Sequence, residues 1–225
     1  MTKAGKLVSL NVAMPIQVNY GSKEVITGIF KQPVQKRLHL GMLGLSGDGQ
    51  GDLVNHGGMD KAVCVYSEQH FPYWEKEWGH APEAGAFGEN FTVTAMTEEQ
   101  LHIGDVLHIG GAVVQVSQPR QPCFKLAMKH GRPELTLQVQ SSGYTGYYFR
   151  VLQEGDVGCG DEMILENPHP AGVTIAEANR VMYRDKKDIA GIRRLLDIDE
   201  LSSSWRETLT LRLKKIEGEE QASAR

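Results

Sequence analysis

The chain has 225 residues, 40% hydrophobic and 23% charged, with a net charge of −4. This is an ordinary globular mixture, long enough for one medium domain with a sizeable core plus a small appendage. The negative balance argues against a surface that grips nucleic acid or anionic membrane as a whole, so neither partner is expected and any anion site must be local.

The opening Met1-Thr2-Lys3-Ala4-Gly5-Lys6 lacks the apolar stretch of a signal peptide, and no 18-residue apolar run follows. The expectation is a mature protein that does not cross a membrane. Cys64, Cys123 and Cys159 are an odd, sparse set, unlike a secreted disulfide framework, so reduced thiols in a cytoplasm are expected. A strand is predicted over 6–16, carrying Leu7, Val8, Leu10, Val12 and Ile16, and a second over 25–30, rich in β-branched residues. Glycine and aspartate punctuate 43–58, which marks a long loop or a set of tight turns. Residues 62–66 form a short buried strand, and Ser67 can cap a helix reaching Trp78, broken or restarted by Pro72.

Further strands are predicted at 91–94, 106–109, 112–117, 147–152 and 162–165, with Gly110-Gly111 as a hairpin turn and 154–156 as another turn. So many short strands predict a mainly β fold, a closed or nearly closed β-barrel over 1–168. Residues 167–172 look like a linker. Beyond it, 173–216 has the texture of a small three-helix C-terminal domain, with helices near 174–183, 186–196 and 203–215. Thr174-Ile175-Ala176-Glu177 and Ser204-Trp205-Arg206-Glu207 have capping-box form, and Ile189, Ile192, Leu195 and Leu196 keep helical spacing. The polar tail from Gly218 is expected to fray.

Three clusters offer chemistry. In Ser117-Gln118-Pro119-Arg120-Gln121-Pro122-Cys123-Phe124-Lys125-Leu126, a strand ends and two prolines stiffen a turn presenting Arg120, Cys123 and Lys125. Cations beside a cysteine favour the thiolate, the form needed by a nucleophile or a soft-metal ligand. A buried structural cysteine is the plain alternative. Gly47-Asp48-Gly49-Gln50-Gly51-Asp52 precedes His56-Gly57-Gly58-Met59-Asp60-Lys61, where bare backbone at Gly57-Gly58 with His56 and Lys61 suits an anion, or else is a surface turn. Asn90, in Phe87-Gly88-Glu89-Asn90-Phe91, could hydrogen-bond a heterocycle edge or serve a turn. Cys64, mid-strand, reads as core. No C-x-x-C pair marks a zinc site, and no flavin or iron–sulfur motif is visible.

Taken together these stretches, with Gly44-Leu45-Ser46-Gly47-Asp48 and Ile103-Gly104-Asp105, resemble the MOSC domain, and their wording resembles its YiiM subgroup. The resemblance spans roughly residues 5–166, and the capped helices beyond fit the three-helix domain that often follows. It implies a distorted β-barrel that binds a molybdenum cofactor (molybdopterin), with Cys123 as metal ligand. For the subgroup it implies reduction of a small-molecule N-hydroxylated base, typified by 6-N-hydroxylaminopurine, to the amine. Under that resemblance His56, Gly57, Gly58, Lys61, Asn90, Ser117, Arg120 and Cys123 hold the cofactor, with Lys125 a weaker candidate. Cys123 and His56 are then catalytic, His56 as a proton donor, and electrons come from a separate reductase. Two alternatives stand beside it: a sulfur carrier using a Cys123 persulfide, and a non-catalytic molybdopterin-binding protein.

Overall fold

A computed structural model describes residues 1–53 and 57–223. In chain order the strands are β1 (Thr2–Val12), β2 (Ile16–Tyr20), β3 (Lys23–Thr27), β4 (Gln32–Val34), β5 (Leu38–Gly41), β6 (Gly44–Leu45), β7 (Val63–Ser67), β8 (Phe91–Val93), β9 (Val106–Ile109), β10 (Ala112–Pro119), β11 (Tyr147–Gln153), β12 (Gly155–Val157) and β13 (Glu162–Leu165). Seven of them close a barrel in the order β13, β9, β10, β11, β7, β8, β1, with β1 pairing back onto β13. The β7–β8 pairing is parallel. Closure gives the ring strands partners on both sides, and the mainly β expectation holds.

Period-2 alternation sends Leu107 and Ile109 of β9, Val114 and Val116 of β10, and Phe149 and Val151 of β11 into one core. Each side chain of this size stabilises the fold by roughly 1.5–3 kcal/mol when fully buried. Register shifts between Val113 and Val114 and between Val116 and Gln118 interrupt the β10–β11 ladder. Such bulges bend a strand and re-aim its end, here the segment leading into Arg120 and Cys123. β2 and β3 form a separate hairpin, and β5, β6 and β12 form a small sheet. The expected 154–156 turn is thus partly strand, and helices Phe124–His130 and Leu135–Ser142 were not anticipated.

The C-terminal helices are Ile175–Asn179, extended by a π-turn over Arg180–Arg184, then Ile189–Leu196 and Ser203–Ser223. Thr174 Oγ1 accepts from Glu177 N at 3.0 Å, the first half of the expected box. The second box is not realised at Ser204. The last helix starts at Ser203, as expected: Ser202 Oγ accepts from Trp205 N at 3.4 Å, and the N–H and hydroxyl of Ser203 donate to Asp60 Oδ2 at 3.0 and 3.2 Å. The cap is thus Ser202 rather than Ser204, and an outside carboxylate adds to it. The tail also departs from expectation, because Glu219 and Gln221 favour helix and the helix runs past Gly218. Ile192, Leu195, Trp205 and Leu209 share one continuous core with the barrel. No described helix is long and apolar enough to cross a membrane.

The 46–51 loop is fixed by a buried carboxylate. Asp48 Oδ1 accepts from Lys31 Nζ at 2.5 Å and from Ala13 N at 2.8 Å, while Oδ2 accepts from Asn90 Nδ2 at 2.9 Å. The Asp48 and Lys31 side chains are 2% and 7% exposed, so neither is solvated by bulk water. Close approach at this seam requires glycine. A Cβ on Gly28 would sit 2.2 Å from Gly49 O, and one on Gly51 2.3 Å from Ile26 O. Asp48→Asn should therefore cost about 3–5 kcal/mol, because it strands a buried ammonium and turns an amide donor against other donors. Pairing it with Lys31→Met should recover part of the loss, as read by chemical denaturation of the two variants. Additive losses would contradict this account of the pair.

Candidate functional site

The turn after β10 and the helix Phe124–His130 face segments 27–31 and 49–51 across a cleft of about 600 Å³, counting its open mouth. Four cations line it: Lys31, Lys61, Arg120 and Lys125. Lys31 is already matched by Asp48. Cys123, half-buried, has extended backbone (φ −123°, ψ 170°) just before the helix. Its carbonyl accepts from Leu126 N at 3.0 Å and Thr136 Oγ1 at 3.3 Å. The main chain at Cys123 is thereby pinned, and the residue lines the cleft.

Arg120 is the electrostatic centre. Its N–H donates to Gly146 O at 3.0 Å, which anchors the turn to the start of β11. The side chain is buried, and Nη1 has no hydrogen-bond partner. Burial works against its charge, but Cys64, Tyr148, Cys123 and Glu89 outweigh that and push its pKa up. Burial pushes the Cys64 thiol up, against the pull of Arg120 and Lys31. It also holds the Lys61 ammonium below the ordinary lysine range, although Asp60 and Asp52 oppose the shift. An unpartnered guanidinium nitrogen in a desolvated wall is costly unless an acceptor meets it. A site of this charge therefore suits an anion.

Of the residues singled out from sequence, Cys123, Arg120, Lys61 and Asn90 meet at the cleft, and Lys125, given less weight, is buried in its wall. Asn90 has its side chain fully engaged: Nδ2 donates to Asp48 Oδ2 and Asn11 O, and Oδ1 accepts from Cys64 N at 3.1 Å. It joins the glycine loop to β7. Ser117 is buried behind the cleft, its hydroxyl between Asp60 O (2.6 Å) and Tyr148 O (3.1 Å), and does not line it. Gly57 and Gly58 do not line it either. Gly58, at φ 93°, turns the chain into the 3-10 turn Met59–Lys61 that delivers Lys61. The lining glycines are Gly28, Gly49, Gly51 and Gly88. His56 lies outside the described residues. Cys64, taken for core, is buried but sits at the cleft floor beside Tyr148. Lys31 and Tyr148 carry no local sequence signal, since each reaches the site only through tertiary contact.

The MOSC domain matches residues 52–164, and the YiiM-like 3-alpha helix domain matches 173–215. The chain is 49% identical over 200 residues to the uncharacterized protein YflK of Bacillus subtilis, covering 89% of this chain and 90% of that one. It is 35% identical over 152 residues to a protein of Gibberella moniliformis named a reductase, covering 65% of this chain but only 27% of that longer protein. The crystal structure of YiiM from Geobacillus stearothermophilus superposes with a TM-score of 0.80 at 39% identity, over 93% of this chain and 99% of that one. Barrel and appended helices are accounted for together: the chain belongs to the MOSC-domain family, and within it to the YiiM type.

Proposed function

We propose that this protein is a molybdenum-cofactor-dependent reductase of N-hydroxylated bases, 6-N-hydroxylaminopurine being the type substrate. The observation that carries the proposal is the buried Arg120 with its unpartnered Nη1 in the same cleft as Cys123. An anionic cofactor with phosphate and dithiolene groups suits that wall, and Arg120, Lys61 and Lys125 would hold it. No described group of three His, Cys, Asp or Glu side chains could hold a metal ion alone. A dithiolene cofactor brings its own sulfur ligands to the metal, and Cys123 would add the protein's thiolate.

Each turnover adds two electrons and two protons to R–NH–OH, breaks the N–O bond, and releases R–NH₂ and water. When bound, the cofactor supplies the two-electron chemistry, and the protein orients and tunes it. The chain has no flavin or iron–sulfur motif, so a separate reductase protein supplies the electrons. MOSC domains take their name from the C-terminal domain of molybdenum-cofactor sulfurases. A relative named a reductase supports the redox reading over the sulfur-carrier alternative. His56 stays a proposed proton donor, and we add Lys61, which lines the cleft and whose lowered pKa makes it a better acid than an exposed lysine.

Three measurements test this. Expressed with molybdate in a cofactor-producing host, wild type should carry near-stoichiometric molybdenum, and Cys123→Ser should lose metal and turnover while keeping its fold. Cyanide-labile sulfur on Cys123 without molybdenum would instead establish the carrier. Arg120→Met should reduce molybdenum retention by about tenfold or more. The metal-free Arg120→Met protein should melt close to the wild-type temperature, because Nη1 makes no hydrogen bond that the substitution would break. A large drop in its melting temperature would make Arg120 structural. Finally, activity should fall as pH rises through the pKa of Lys61, at a pH below the ordinary lysine value of 10.5. Lys61→Gln should abolish that alkaline limb, and an unchanged limb would remove Lys61 from the proton path.

A further inference from the structure

Cys123 also lines a second cleft. That cleft shares Lys61, Gln121, Cys123, Lys125 and Tyr148 with the first, but its outer wall is different: Asp52, Gln118, Pro122, Phe124, and Ser204, Glu207 and Thr208 of the last helix. It is the roomier of the two, about 1120 Å³ against about 600 Å³ when both are counted with their open mouths. The chemistry of the walls divides the clefts. The first carries cations and no carboxylate, whereas the second adds Asp52 and Glu207.

The helix residues are not equivalent. Ser204 Oγ donates to Gln118 Oε1 at 3.2 Å, and Thr208 Oγ1 donates to Ser204 O at 2.8 Å, so both hydroxyls are engaged internally. Glu207 is exposed and makes no hydrogen bond or ion pair among the described residues. Next to Cys123, Phe124 is 49% exposed, an unusual position for a phenylalanine beside a reactive centre. Its ring stacks only partly on Tyr20 of the β2–β3 hairpin, with centroids 6.0 Å apart and planes inclined at 29°. One wall thus offers an aromatic surface and another offers a carboxylate acceptor, both in the cleft that Cys123 lines.

We propose that this second cleft is the substrate site, with a planar nitrogen heterocycle stacking on Phe124 and donating ring or exocyclic N–H groups to Glu207. The three-helix unit then contributes to specificity rather than only covering a barrel end. This inference rests on the reductase reading for the identity of the substrate. Stacking of a base on an aromatic side chain tightens binding whatever the base, and a carboxylate built to accept N–H groups discriminates against rings that lack them.

The test is titration calorimetry of molybdenum-loaded protein with adenine, the amine released from 6-N-hydroxylaminopurine. Phe124→Ala and Glu207→Gln should each weaken binding by about tenfold. Both should keep wild-type molybdenum content and melting temperature. Glu219→Gln, farther along the same helix, should bind like wild type. Affinities of both variants within about twofold of wild type, or no binding by wild type, would overturn the proposal. Turnover with a chemically reduced viologen separates this inference from the reading beneath it. If wild type reduces the hydroxylamine and both variants match it, the substrate site is wrong and the reductase stands. If adenine binds in a Glu207-dependent way with no reduction, the reductase fails and the site stands.

Discussion

The cleft depends on the Asp48 carboxylate. A charge this deeply buried is tolerated only when its oxygens are filled, and here an ammonium, a backbone N–H and an amide fill them. Because these donors come from Lys31, Ala13 and Asn90, one side chain ties the glycine loop to three other parts of the chain. Asn90 extends the tie to Cys64 on β7. The walls are therefore tied together by protein groups alone, and Lys31 is neutralised in the process. The unbalanced positive character falls on the Arg120 side, next to Cys123.

What could be read from the sequence follows from locality. The barrel strands show themselves because β-branched alternation is a short-range signal, and the cap at Thr174 because a box needs only four residues. The Pro119–Lys125 turn is legible for the same reason. Lys31 and Tyr148 are not, since their roles arise when segments far apart in sequence close on one cleft. Cys64 misleads for a subtler reason: an apolar strand looks the same whether its side chain ends in a core or at the floor of a site. Gly57-Gly58 attracts attention as bare backbone, yet the contribution is that of Gly58, whose positive φ leads into the 3-10 turn that delivers Lys61.

The second capping box shows local pattern displaced by a neighbouring serine and a distant partner. Asp60 Oδ1 receives Arg150 Nη2 of β11 at 2.7 Å, and Oδ2 receives Ser203 at the start of the last helix. Ser202, ahead of the expected cap, accepts from Trp205 N, and the Asp60 carboxylate takes the Ser203 N–H beside it. The helix accordingly starts where Ser202 and Asp60 together meet its first N–H groups.

That link has a consequence for how the chain could have been assembled. Asp60 lies beside Lys61, so a residue that helps to hold the last helix also belongs to the turn delivering a cleft cation. With Trp205 and Leu209 packed into the same core as the barrel strands, the helical unit is not a detachable module. Trimming it would expose apolar barrel surface and release the Asp60 turn together. A chain ending after β13 should therefore not fold as a working unit, because the barrel is finished only by the helices that follow it.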